Sequence, residues 1–273
     1  MDIIATFLDK KVVSILGCGW YGLPLAKALI NDGMSVKGST TSPQKLESLL
    51  TDGIEPYLVN FSAGNETYDA GFFDCDILLI AIPPKTRSGE GANFIYKIQQ
   101  IINAIKQHGV KNVVFISSTG VYADLNGEVD ETTDPQPNTE AGKILFAAEN
   151  LFRDEEVFKT TIIRFAGLIG PGRNPGRFFA GKKDIPNGNA PVNLIHLDDC
   201  IGLTRAIIDK DAFGYLFNGC SPYHPAKSAF YTNAALNSGF EKSEFIAELK
   251  EWKIVKSVNV EMILQYQFNT GIQ

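Results

Sequence analysis

The 273-residue chain has no surplus of positive charge: 25 Lys and Arg stand against 31 Asp and Glu, a net charge of −6 at pH 7. Nothing in that balance would hold a nucleic-acid backbone or an anionic lipid surface, so neither partner is expected. Cysteine is scarce. Cys18, Cys75, Cys200 and Cys220 are widely spaced and form no C-x-x-C pair, which points away from a zinc site or a disulfide framework and toward reduced thiols; no metal is expected. No run of about 18 apolar residues escapes interruption by a charge, so no membrane-spanning helix is expected. The start, Met1 to Lys11, has an apolar patch at Ile3 to Thr6 but an early Asp2 and no basic lead into a long apolar stretch. It does not read as a secretion signal, and a soluble cytoplasmic protein is the expectation. What is present is enough for a sizeable core: 44% apolar and 21% charged residues exclude a disordered or collagen-like chain.

Strand-length apolar runs alternate with helical spacing, as a parallel sheet with crossover helices requires. Strands are expected near Val12 to Leu16, Ser35 to Ser39, Glu55 to Val59, Ile77 to Ile82, Val113 to Ser117 and Thr161 to Phe165. Leu23, Ala26, Leu29 and Ile30 mark a first helix, and Phe94, Ile98, Ile101, Ile102 and Ile105 a longer one ending near Gly109. Leu145, Ala148, Leu151 and Phe152 mark a third. Gly167 to Pro191 is rich in glycine, proline, asparagine and basic residues and is expected to be a long loop region. Beyond it, Leu197 to Ile208 reads as a helix, Tyr215 to Asn218 as a strand and Ala226 to Leu236 as a helix. The fold class is α/β, a Rossmann-type doubly wound parallel sheet. The expected division is residues 1–166, mainly a dinucleotide-binding domain, and 167–273, mainly a smaller substrate part whose late elements are expected to return to the sheet; the glycine turn at Gly17 to Gly22 carries the first of these.

Gly17-Cys18-Gly19-Trp20-Tyr21-Gly22 is a G-x-G-x-x-G placed after the first strand and opening the first helix. Gly17 permits the tight turn, Gly19 lets backbone approach a pyrophosphate, and Gly22 lets helix and strand pack closely, while helix amides face the anion. About 20 residues on, an NAD site usually carries an acidic group for the ribose hydroxyls. Here the stretch is Gly38-Ser39-Thr40-Thr41-Ser42. The hydroxyls of Ser39, Thr40 and Thr41, with no carboxylate beside them and Lys45 nearby, favour NADP over NAD. A helix start at Ser42-Pro43 accounts for part of the same stretch. Ala81, Ile82 and Pro83 end a strand on the crevice edge and are expected to touch the cofactor; a proline-terminated core strand explains them as well.

Four segments in order resemble the extended short-chain dehydrogenase/reductase family, the NAD(P)-dependent epimerases and dehydratases of nucleotide sugars. They are the glycine turn, Phe115-Ile116-Ser117-Ser118-Thr119-Gly120-Val121-Tyr122, Arg164-Phe165-Ala166-Gly167-Leu168-Ile169-Gly170-Pro171-Gly172, and Asn193-Leu194-Ile195-His196-Leu197-Asp198-Asp199. The resemblance spans about Val12 to Pro222. It implies that Ser118 hydrogen-bonds the reacting group, that Ser117 lies beside the cofactor, and that a tyrosine followed four residues later by lysine exchanges the proton. This chain departs there. If Lys143 occupies the lysine position, the tyrosine position is Thr139; if Ala148-Glu149 sets the register, the pair is Ala141 and Leu145. The second register preserves more of the helix and resembles an atypical subgroup that has lost the pair. Threonine is no substitute, because its pKa is far from neutral.

Tyr122 is therefore the phenol available as a substitute acid, although that position is more often one of packing or substrate contact in the family. Arg164, Arg173 and Arg177 are candidate ligands for a substrate phosphate or carboxylate, with solvated loop arginines the alternative for the last two. His196 reads as structural, with Asp198 and Asp199 in the first turn of a helix. Phe178, Phe179 and Ile185-Pro186 would line a cleft or merely pack a loop, and Cys18 reads as a small turn-filling residue. The expectation is an NAD(P)-binding atypical oxidoreductase or isomerase acting on a small polar molecule. The alternative is a catalytically inactive NAD(P)-sensing or regulatory protein. The resemblance admits a homodimer through helices flanking the sheet.

Overall fold

The structure, a computed structural model, describes residues 10–84 and 91–269; the patch Ile3 to Thr6 lies outside them. Seven parallel strands form the central sheet: β1 (Val12–Leu16), β2 (Ser35–Thr40), β3 (Glu55–Leu58), β6 (Ile77–Ile80), β7 (Asn112–Ser118), β9 (Lys159–Phe165) and β12 (Leu216–Gly219). Their order is β12-β9-β7-β6-β1-β2-β3. The chain winds outward from β1 through β2 and β3, then crosses back to β6 and winds the other way. The reversal between β1 and β6 opens a crevice at the carboxyl ends of the strands, where doubly wound sheets bind ligands.

Side chains alternate across each strand and so build two cores. Val13 and Ile15 of β1, Ile77 and Leu79 of β6, Val114 of β7 and Ile163 of β9 pack on one face. That face meets Leu25, Ala26 and Leu29 of helix α1 (Gly22–Asn31) and Leu203 and Ile207 of α5 (Leu197–Asp209). Leu16, Leu78, Ile80, Val113 and Phe115 face the other way. They cover Phe94, Ile98, Ile101, Ile102 and Ile105 of α3 (Gly91–His108) and Leu145, Ala148 and Phe152 of α4 (Glu140–Arg153). Both faces are buried, which is why the strands read as continuous apolar runs. Gly109, at φ +71°, ends α3 in the left-handed conformation expected after a helix.

Several short elements escaped the sequence pattern. A hairpin, β4 (Asn60–Ser62) with β5 (Asn65–Thr67), follows β3. The helix start read at Ser42-Pro43 is present as a 3-10 turn, Pro43–Lys45, that runs on into α2 (Leu46–Thr51) before β3. The loop region after Gly167 is not wholly irregular: β10 (Gly167–Ile169) pairs in parallel with β11 (Leu194–His196). A second pair joins β8 (Gly127–Val129) to β13 (Lys253–Val255). Each strand of these last two pairs is three residues long and has a partner distant in sequence, so no local periodicity announces it.

The late chain returns to the sheet as β12, followed by α6 (Lys227–Asn237) and α7 (Val258–Met262). The outer edge of β12 is occupied by side chains. Asn218 N–H donates to Glu131 Oε1 at 2.9 Å and Cys220 N–H to Ser257 Oγ at 3.1 Å, while the Leu216 carbonyl accepts from Asn259 Nδ2 at 2.9 Å. Among the described residues no helix is long and apolar enough to cross a membrane.

Candidate functional site

The crevice begins where β1 ends. Gly17 takes φ +108°, and a Cβ there would lie 3.0 Å from the Ala81 carbonyl oxygen. Its N–H donates to Ser39 Oγ at 2.9 Å, and Cys18 N–H donates to the Ser39 carbonyl at 3.2 Å. A Cβ on Gly22 would come within 2.2 Å of the Gly17 carbonyl oxygen, so the turn and the first turn of α1 fit together only without side chains. Gly19 differs: a Cβ there would meet no atom within 4 Å. The space it would enter is the crevice itself, and the backbone there is open to a ligand. The N–H groups of Trp20, Tyr21 and Gly22 donate to no acceptor among the described residues. These bare amides at the positive end of α1 fit the pyrophosphate of a dinucleotide.

Two cavities flank the turn and share Gly17, Gly19, Ile82 and Pro83. The first, of about 320 Å³, brings together Trp20, Tyr21, Gly22, Ala81, Ser117, Ser118 and Arg173 from the residues expected by sequence. It also gathers Pro84, Ile116, Leu145, Phe165 and Leu168. The second, of about 220 Å³, lies beyond the end of β2 and is lined by Cys18, Ser39, Thr40, Thr41, Lys45 and Lys97. A larger cavity of about 800 Å³ lies between residues 220–224 and the 255–268 segment. It borders neither the glycine turn nor Ser118.

Inside the site the side chains hold distinct stations. Trp20 Nε1 donates to the Pro171 carbonyl at 2.6 Å, and the exposed guanidinium of Arg173 lies 4.3 Å from the centre of the Trp20 ring. The loop after β10 is thus strapped to the glycine turn. Tyr21 turns inward, its hydroxyl 2.6 Å from Thr204 Oγ1, and burial pushes its pKa far up. Burial also pushes the Cys18 thiol up to about 11, so it is a neutral packing group at neutral pH. Ser118 Oγ accepts from Gly120 N–H at 3.1 Å, which leaves its proton to be donated outward.

Three expectations need correction. Arg164 is not a cleft residue: it is fully buried, its Nε donates to Glu149 Oε1 at 2.9 Å, its Nη2 to Oε2 at 2.5 Å, and its Nη1 to the Tyr122 hydroxyl at 2.6 Å. Ile163 and Phe165 belong to the core on the α1 side, so alternation sends Arg164 toward α4. Tyr122 is not poised as an acid. It is 2% exposed, and its hydroxyl lies 2.8 Å from the Asp130 carbonyl and 3.1 Å from Asn218 Oδ1. Burial raises its pKa despite the counteracting Arg164 charge, the wrong direction for exchange near neutrality. Arg177 lies over the Phe240 ring, 5.4 Å from its centre, and lines neither cavity at the turn.

Ser117 keeps only its backbone for the cleft, because its hydroxyl donates to Glu149 Oε1 at 2.6 Å. Ser39 Oγ is likewise engaged with the turn. Thr139 caps α4, accepting from Gly142 N–H at 3.1 Å, and His196 caps α5, its Nδ1 accepting from Asp198 N–H at 3.2 Å. Lys143 is exposed, whereas Leu145 lines the cleft. Of the two candidate lysine positions, 143 and 145, the cleft is thus lined by the second. Phe178, Phe179 and Ile185 stand away from the turn, with Phe179 packed on Tyr231 and Phe245. Glu149 and Lys97 were missed. Glu149 was visible only as part of a helical match, and Lys97 sits on the helix that the apolar spacing already located.

A family model described as NAD(P)H-binding matches residues 17–193. Protein YeeZ of Escherichia coli (strain K12) is 37% identical over 267 residues, covering 94% of this chain and 96% of that protein. Among solved structures, the UDP-glucuronic acid 4-epimerase from Bacillus cereus in complex with NAD superposes with a TM-score of 0.76 at 19% identity, over 96% of this chain and 94% of that one. A conserved protein of unknown function from Silicibacter pomeroyi matches with a TM-score of 0.76 at 23% identity, over 94% and 93%. With its glycine turn inside the matched region and its fold superposing on those structures over almost the whole chain, the chain belongs to the NAD(P)H-binding family and has an epimerase/dehydratase-like Rossmann fold.

Proposed function

We propose that the chain binds NADP(H) across the glycine turn and works as an atypical oxidoreductase or isomerase on a small polar substrate held by Ser118 and Arg173. The observation that carries this reading is the lining of the 320 Å³ cleft, which joins the open backbone of Gly19 to one outward hydroxyl and one cation on an otherwise apolar wall. When bound, the nicotinamide supplies or accepts a hydride. The chain's own residues bind and orient. The amides of Trp20, Tyr21 and Gly22 hold the pyrophosphate, while Ala81, Ile82, Pro83, Ile116, Leu145 and Phe165 keep water from the reacting faces. Ser118 Oγ–H donates to the reacting oxygen, and Arg173, held flat on Trp20, takes an anionic group of the substrate. In this reading residues 1–166 mainly serve the cofactor and 167–273 mainly the substrate. The phosphorylated cofactor is favoured by Thr40, Thr41 and Lys45 at the end of β2, where no carboxylate lines the cavity.

No lysine lines this cleft among the described residues, and its one phenol, Tyr21, is bonded in the core. The proton therefore passes through the substrate or solvent. That same observation favours a second reading, a cofactor-sensing protein that has given up turnover.

Fluorescence titration with NADPH and NADH, repeated on Gly19→Asp, tests the binding step; NADPH binding abolished by the carboxylate is expected. Small carbonyl compounds bearing a carboxylate or phosphate are then screened for oxidation of bound NADPH. Hydride transfer weakened about a hundredfold in Ser118→Ala supports the enzyme. Binding without transfer to any compound leaves the sensing reading, and binding of neither nucleotide overturns both.

A further inference from the structure

The 220 Å³ cavity beyond β2 is lined by positive charge in a chain whose net charge is −6. Its walls carry two lysines and no carboxylate. Lys45 comes from the 3-10 turn at Pro43–Lys45, directly after β2, and Lys97 from α3 on the other side of the strand ends. Neither makes a hydrogen bond or an ion pair among the described residues. Some other lysines have partners, as Lys27 has Asp52 at 2.8 Å, Lys106 has Glu155 at 3.1 Å, Lys250 has Glu248 at 2.7 Å and Lys253 has Asp124 at 2.7 Å, whereas Lys111, Lys143 and Lys210 on the outer surface have none among the described residues; what sets Lys45 and Lys97 apart is that they line one cavity. The buried Lys37 donates to the carbonyls of Gly71 and Asp74, at 2.7 and 2.6 Å. Two lysines and no carboxylate on the wall of one small cavity favour an anion placed in it.

The hydroxyls there can add hydrogen bonds but no charge: Ser39 Oγ already accepts from Gly17 N–H at 2.9 Å and Thr40 Oγ1 from Ser42 N–H at 3.0 Å, so the positive charge facing an anion comes from the lysines. The cavity also borders Gly17 and Gly19, so a dinucleotide whose pyrophosphate lies on the turn brings its adenosine ribose to this place. A phosphate monoester carries a charge of about −1.5 to −2 near neutral pH, which matches two lysines and exceeds one.

We infer that Lys97 is a specificity-determining residue which, together with Lys45, brackets the 2′-phosphate of NADP(H). This rests on the reading that a dinucleotide binds at the glycine turn, and it adds a contact from α3 that the sequence around β2 does not contain. Lys97 acts on binding, not on the reacting atoms.

The test is titration of the full chain with NADPH, NADH, 2′,5′-ADP and 5′-AMP, at low and high salt, for the wild type and for Lys97→Gln, Lys45→Gln and Lys97→Arg. Expected for Lys97→Gln is a weakening of NADPH and 2′,5′-ADP by about tenfold or more, with NADH and 5′-AMP unchanged, a shallower salt dependence and an unaltered melting temperature. Lys97→Arg should retain most of the preference, because the charge survives. Unchanged NADPH binding in Lys97→Gln, or equal losses for NADPH and NADH, overturns the role of Lys97. If the wild type binds NADH as tightly as NADPH, the bracket falls while the dinucleotide site stands. If it binds none of the four, the dinucleotide reading falls with it.

Discussion

A Cβ at Gly22 would press to 2.2 Å from the Gly17 carbonyl oxygen, while one at Gly19 would meet nothing within 4 Å. The same residue type in the same turn therefore answers to packing in one place and to a ligand in the other. Gly22→Ala must move backbone, and we expect a clear fall in melting temperature and in soluble yield. Gly19→Ala should change stability by less than about 0.5 kcal/mol, as surface substitutions do, yet weaken dinucleotide binding by tenfold or more. Thermal unfolding and nucleotide titration of the two variants side by side check the contrast. The glycine spacing was legible in the sequence, but which glycine guards fold and which guards ligand became visible only from what surrounds each. Arg164 teaches the same lesson. Its place at a strand end suggested the crevice, but the neighbour that captures it, Glu149, lies on another element.

At the scale of elements, the buried Arg164–Glu149 pair pins α4 to β9, and Ser117 and Tyr122 extend the network to β7 and the turn after it. Removing one member strands the others. Glu149→Ala leaves an uncompensated guanidinium in the core and should cost about 3–5 kcal/mol. Tyr122→Phe removes one hydroxyl that accepts from Arg164 and should cost about 1–3 kcal/mol. Urea unfolding measures both, and nucleotide binding unchanged in Tyr122→Phe would match a structural role for the phenol. The long elements were readable because each repeats one apolar period over several turns or residues. The pairs β8 with β13 and β10 with β11 were not, since three residues hold too little pattern and their partners lie 126 and 27 positions away, as the registers Lys253↔Gly127 and Leu194↔Gly167 show.

For the whole molecule, burial raises the pKa of acids that ionise only at alkaline pH. The Cys18 and Cys220 thiols move up to about 11 and about 12, and Tyr21, Cys200 and Tyr266 also move up. An unfolded thiol ionises near pH 8.5. The folded state holds these protons more tightly, so its stability is fully present below about pH 8.5 and is lost as pH rises toward the folded values. Melting temperature should fall steadily from about pH 8.5 to about pH 11, and Cys220→Ala should make the slope shallower. Calorimetry across that range reads the effect; a flat profile would contradict it.

Every parallel sheet must end somewhere, and an unfinished strand offers its amides to any other strand that passes. On β12 those groups are already claimed: Glu131 takes the Asn218 amide, Ser257 takes that of Cys220, and Asn259 covers the Leu216 carbonyl. A foreign strand would have to displace three side chains before its first ladder bond formed. The molecule is in this way guarded against growing by accretion along that border.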